Sequence, residues 1–235
     1  MNPGQMSAGP ARGQPVMDTQ TMTAVDVGER RFTDLWRRRV VSPPSPDGAT
    51  VYAELRRLYT APYRRYHNLG HIQECLRLAD EVAPLLVDRD GVEFGLWFHD
   101  AVYDTGVTTN EWRSAELFLG VSAGAPFMFR NRVCGHILAT RHMETARGND
   151  RCFLVDIDLS GFGAPWAEFM RNGALLREES STQSDARYHA GQVIFLSALQ
   201  RRRHFFRTEY FRDRYEAIAR ANLQRLLADL RALGY

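Results

Sequence analysis

Residues 92–104 read Val-Glu-Phe-Gly-Leu-Trp-Phe-His-Asp-Ala-Val-Tyr-Asp. From Val92 to Tyr103 the stretch is apolar nearly all the way round a helical wheel, which predicts a helix buried at the centre of a fold rather than one lying on its surface. One adjacent pair, His99-Asp100, interrupts the apolar run. Asp104 stands four residues beyond Asp100, so a continuous helix would set both carboxylates on one face.

Outward from this stretch the pattern stays helical. Upstream, Ile72, Cys75, Leu76, Ala79 and Val82 step at helical spacing, and Val51, Leu55 and Leu58 mark a helix over 49–60. Phe32, Leu35, Trp36 and Val40 mark a shorter one, which Ser42-Pro-Pro-Ser-Pro-Asp-Gly48 breaks. Downstream, Thr108-Thr109-Asn110-Glu111 opens a helix with Trp112, Ala115 and Leu119 inward. Another is expected over 126–142. Gly148-Asn149 turns the chain ahead of Phe153 to Leu159, where 152–157 carries a weak alternation that also fits a strand. Pro165 fits the first position of a helix. Two further helices are expected over 185–203 and 210–233. The last buries Tyr215, Ala219, Leu223, Leu226, Leu230 and Leu233, with Gly234 as its cap. Residues 1–28, rich in Gly, Pro, Gln, Ser and Thr, read as a disordered tail. The expectation is one all-α domain over 29–235, a bundle of eight or nine helices.

Composition narrows the function. The chain has 235 residues, 44% of them hydrophobic, and a net charge of +2 from 30 basic and 28 acidic residues. Such a chain buries a core unaided. The charge is too balanced to argue for nucleic acid, and no run of about eighteen apolar residues suggests a membrane span. All 30 basic residues are Arg. That fits a GC-rich coding sequence, and it also fits bidentate phosphate contacts. Cys75, Cys134 and Cys152 are odd in number and have no CxxC spacing, as expected of free thiols in a reducing cytoplasm. The expected state is a cytoplasmic monomer or homodimer.

Chemistry concentrates in three strings. The first is Tyr66-His67-Asn68-Leu69-Gly70-His71-Ile72, the second contains His99-Asp100, and the third is Leu154-Val155-Asp156-Ile157-Asp158-Leu159-Ser160. An unpaired carboxylate is costly in an apolar run, so these acids need partners. A divalent cation satisfies several at once. Mixed His and Asp donors suit Zn, Mn, Fe, Co or Ni better than Ca.

These strings resemble the HD superfamily of metal-dependent phosphohydrolases, an all-helical family, over most of residues 29–235. They look most like its bacterial branch of predicted HD phosphohydrolases, and the Tyr-His-Asn…His-Ile string resembles the more distant cyclic-nucleotide phosphodiesterases. The resemblance implies a divalent metal (Zn, Mn, Fe, Co, Ni or Mg) held by His71, His99, Asp100 and Asp158, with Asp156 competing for the distal position. It implies His67 as the acid that protonates the leaving oxygen and Asp104 as an acid acting on water. His136 and His142 are candidates for a second metal or for a supporting role. Glu111 either supports the site or closes a capping box with Thr108. Arg64 and Arg65 either clamp a phosphate or are solvated. Glu74 or Glu111 is the acid expected to support His67, and His189 and His204 are expected at the surface or behind the site. The implied substrate is a small, nucleotide-like phosphoester or phosphoanhydride. The same scaffold hosts diiron oxygenases, which use a fuller His set, and a non-catalytic metal- or nucleotide-binding module is the third reading.

Overall fold

A computed structural model of the chain describes residues 19–235, with side chains from Val27 onward. The described residues form ten α-helices and two short 3₁₀ turns, with no strand. The helices are α1 (Thr19–Arg39), α2 (Gly48–Tyr59), α3 (Leu69–Glu81), α4 (Arg89–Phe98) and α5 (Asn110–Val121), followed by α6 (Phe127–Ala139), α7 (Asn149–Asp158), α8 (Trp166–Glu179), α9 (Asp185–Gln200) and α10 (Glu209–Ala232). The all-α expectation holds, with one helix more than its upper count. The weak alternation at 152–157 lies within α7, where Phe153, Leu154 and Ile157 fall on a buried helical face. Of the segment expected as a tail, residues 1–18 lie outside the described residues, and 19–28 open α1. Among the described residues no helix is long and apolar enough to cross a membrane.

The 92–98 stretch is the axis of the fold. Every residue of α4 from Gly91 to Phe98 is buried. Phe94, Trp97 and Phe98 pack against Phe32, Trp36, Tyr52, Phe118 and Phe129 in one aromatic cluster. Each fully buried ring contributes about 1.5–3 kcal/mol over an exposed one. Glu93 is tolerated because Arg31 donates to it at 2.6 Å. Gly95 lets α4, α6 and α7 approach closely: a Cβ there would lie 2.5 Å from Leu154 Cδ1 and 3.0 Å from the His136 Cβ.

The helix ends earlier than its apolar pattern. It stops at Phe98, and residues 99–107 form a tight loop. The backbone groups freed there need partners, and neighbouring segments supply them. The Tyr59 hydroxyl donates to the Trp97 carbonyl at 3.0 Å. Arg64 donates to the carbonyls of Asp100 (2.7 Å) and Ala101 (2.9 Å). Ser114 Oγ accepts from Val102 N–H, and Asn110 bonds both backbone groups of Asp104. His99 and Asp100 are thus presented by a braced turn rather than by a continuous helix.

Candidate metal centre

Three helix ends converge. Asn68 caps α3, accepting from Gly70 N–H (2.8 Å) and His71 N–H (3.4 Å), which places His71 in the first turn. His99 and Asp100 follow the last residue of α4, and Asp158 is the last residue of α7. Two of the three ends are C-terminal, where the helix dipole favours a cation.

Four side chains meet. One donor atom from each of His71, His99, Asp100 and Asp158 lies within 4.8 Å of the other three. His71 Nε2 is 3.3 Å from His99 Nε2 and 3.4 Å from Asp158 Oδ1. His99 Nε2 is 3.0 Å from Asp100 Oδ2 and 3.4 Å from Asp158 Oδ1, and His71 Nε2 is 3.7 Å from Asp100 Oδ2. Donors arranged tetrahedrally at about 2.0–2.1 Å from one ion stand about 3.3–3.4 Å apart, so these spacings fit a single cation.

The electrostatics agree. His99 Nδ1 donates to the Leu96 carbonyl at 2.9 Å, which leaves Nε2 with its lone pair facing the cluster. A nitrogen lone pair facing another ring nitrogen and two carboxylate oxygens calls for a positive charge between them. Against the effect of burial, Asp100 and Asp158 hold the His99 ring well above the ordinary histidine range. Burial opposes ionisation of Asp158, yet His99, His142 and His71 hold its carboxyl well below the usual carboxylate range, and His99 and His67 do the same for Asp100.

The two acids of the third string part company. Two residues apart on a helix, they point to nearly opposite sides. Asp158 joins the cluster. Asp156 faces the start of α10, accepting from Arg207 N–H (2.7 Å), Thr208 N–H (2.7 Å) and Thr208 Oγ (2.8 Å). It is an anchor for α10 and is not positioned as a ligand.

Several other expected site residues have different roles. Asp104 does not share a face with Asp100, because α4 has ended; it pairs with Arg113 at 2.5 Å, half exposed. Arg64 is buried, donating to the carbonyls of His67, Asp100 and Ala101, so it braces the site rather than clamping a phosphate. Arg65 is exposed and lines a cavity of about 550 Å³ that opens onto His71 and Asp158, with Tyr66, Asn172 and Tyr215 among its other walls. The capping box of Thr108 and Glu111 does not form: Thr109 is the N-cap of α5 and no side chain caps it. Glu111 is half-buried, and burial, with the charge on Asp100 adding to it, pushes its carboxyl above the ordinary range.

The remaining histidines differ sharply. His142 sits beside the cluster, its Nε2 2.9 Å from Asp158 Oδ2. Its φ of 55° is left-handed, a conformation costing a non-glycine residue about 1–2 kcal/mol. The bond from Arg202 to its carbonyl (2.7 Å) helps hold that turn. His136 is not among the four. It is buried on α6 against Gly95, and neither ring nitrogen has a hydrogen-bond partner. His189 stands outside the cluster, bonded to Gln192. His204 is exposed.

One residue escaped the sequence reading. Glu179, the last residue of α8, is buried; its Oε2 lies 2.6 Å from His67 Nδ1, and its Oε1 accepts from the N–H groups of Arg65, Tyr66 and His67. Burial opposes its ionisation, but the bonds from His67 and its backbone hold the carboxyl below the ordinary range. It therefore accepts, and His67 carries its proton on Nδ1. Glu74, one of the acids expected to support His67, pairs with Arg77 instead. Tyr103 stacks on the His67 ring at 4.1 Å. Nothing in the sequence marks Glu179, which stands 112 positions from His67 and adjacent to a second glutamate.

Comparison with protein-family models, with curated proteins and with solved structures finds no match.

Proposed function

We propose that this chain is an HD-type, divalent-metal-dependent hydrolase of a phosphoester or phosphoanhydride bond in a small, nucleotide-like substrate. One observation carries the reading: two imidazole nitrogens and two carboxylate oxygens, from three helix ends, stand at the mutual spacing of donors around one ion. His71 Nε2, His99 Nε2, Asp100 Oδ2 and Asp158 Oδ1 would hold it. A cation there supplies a Lewis acid that lowers the pKa of water toward about 7 and draws charge from a phosphoryl oxygen.

The chain's own residues do the rest. His142 braces Asp158 through its second carboxylate oxygen, Oδ2. Glu179 fixes the orientation of His67 and accepts from its Nδ1–H; a second proton, carried on Nε2, is the one that would pass to the departing oxygen. Arg65, at the rim of the cavity beside His71, offers a guanidinium to a substrate phosphate. Asp104, turned to Arg113, takes no part. The diiron reading asked for both His136 and His142 at the site; the position of His136 favours hydrolysis over it.

The test is elemental analysis together with turnover on a panel of phosphate esters and nucleotides. About one metal per chain and turnover are expected of the parent, and loss of both in His99→Ala and Asp100→Ala. Full metal content in both variants, or a metal-loaded parent that cleaves nothing on the panel, refutes the proposal.

A further inference from the structure

A second cavity, of about 280 Å³, lies between α5, α6 and the loop leading into α7. Its walls include Trp112, Gly135, Leu138, Arg141, Glu144 and Arg151. None of the four donor side chains lines it, and neither does His67.

Two features set it apart. Most arginines here end on a carboxylate or a carbonyl: Arg31, Arg38, Arg39, Arg89, Arg113, Arg132 and Arg177 all do. Arg151 and Arg141 do not. The Nε of Arg151 is buried with no hydrogen-bond partner, and no carboxylate forms an ion pair with either guanidinium among the described residues. Arg151 is half-buried, and a partly desolvated guanidinium without a counter-charge is left uncompensated. The guanidinium lies against the backbone of α6 at Gly135, where a Cβ would contact its Nη2. The second feature is Trp112, which does not face inward on α5 as its spacing suggested but is 48% exposed, with Arg141 over one face at 5.9 Å from the ring centroid. A large indole left this open offers surface for stacking. Glu144 is the one carboxylate on the lining, so the walls keep a net positive charge.

We infer that this cavity is a binding site for a small aromatic phosphate monoester, separate from the metal centre. The phosphate lies between Arg141 and Arg151, where charge-assisted bonds fill the donors left open. The flat ring lies against Trp112. The volume suits a compact ligand with part of its ring outside the mouth. The inference stands whether or not the metal centre is catalytic.

Adenosine monophosphate, inorganic phosphate and adenosine are the probes, titrated by calorimetry and tryptophan fluorescence into the full chain and into Arg141→Gln, Arg151→Gln, Trp112→Phe and His99→Ala. The monophosphate is expected to bind below about 1 mM, adenosine and inorganic phosphate at least about tenfold more weakly, and each Arg variant to lose about tenfold or more. Trp112→Phe is expected to abolish the fluorescence change, and His99→Ala to bind as the parent does. Binding unaltered by both Arg variants, binding lost only in His99→Ala, or no binding of the monophosphate overturns the inference.

Discussion

Inside the fold, His136 is a base that resists its proton. Burial first, and then the nearby Arg151, push its ring down to about 4, whereas the unfolded chain holds it near the ordinary 6.5. A base depressed in this way stabilises the fold fully above pH 6.5, and that contribution is lost as pH falls toward 4. Between pH 7 and pH 5 the unfolded chain takes up most of a proton that the folded chain refuses, which costs about 2 kcal/mol; by pH 4 the cost is about 3 kcal/mol. His136→Leu removes the titration and also two buried nitrogens without partners, each costing about 1–3 kcal/mol. The reshaped side chain gives back about 1 kcal/mol. Urea unfolding of parent and variant at pH 7 and pH 5 reads the effect. The variant is expected to be at least as stable at pH 7, and the parent to lose about 2 kcal/mol more than the variant between the two pH values. Other titrating groups are common to both proteins and cancel. Equal losses would refute the reasoning and show that the imidazole is solvated or paired.

Three further outcomes follow from particular contacts. Asp156→Asn should destabilise the chain by about 2–3 kcal/mol, through its bonds to residues 207 and 208, yet leave metal content intact; Asp158→Asn should do the reverse, and denaturation paired with elemental analysis separates them. Glu179→Gln keeps the oxygen that accepts the backbone N–H groups but loses the charge beside His67, so kcat should fall about tenfold or more with metal content unchanged; an unaltered kcat removes Glu179 from the mechanism. Gly95→Ala should cost about 1–3 kcal/mol by pressing α4 on Leu154, read as a lower Tm, and Gly95→Ala with Leu154→Ala should cost less together than the sum of the two alone.

Much of the fold was open to reading because the apolar steps are regular. The 92–98 run is buried as expected, and the C-terminal stripe lies on α10 as far as Leu230; Leu233, expected to continue it, is exposed past the helix end, ahead of Gly234 at a φ of 89°. The boundary that mattered was not readable. Nothing local ends α4 at Phe98; no Gly or Pro stands there, and the stop is made by Tyr59, Arg64, Asn110 and Ser114 from other segments. With the boundary misplaced, Asp104 was set on the wrong face. Acids and imidazoles grouped in short strings marked where partners were needed, and the family resemblance singled out His71, His99, Asp100 and Asp158 among them. The choice between Asp156 and Asp158 needed the helix that carries them and the loop at 207–208. Glu179 was invisible because its significance lies wholly in what it touches.

Nη1 of Arg64 donates to the carbonyls of both His67 and Asp100, at 3.0 and 2.7 Å. It works as a caliper, setting the gap between the proton-carrying ring and the acid across from it. Because the grip is on main chain, it sets the gap without occupying either side chain, and these keep their own partners, Glu179 for His67 and His99 for Asp100. Nη2 of the same fork holds the Ala101 carbonyl at 2.9 Å; lysine at 64 has one nitrogen and no fork, so a chain carrying it should keep every reacting group and still lose their registration.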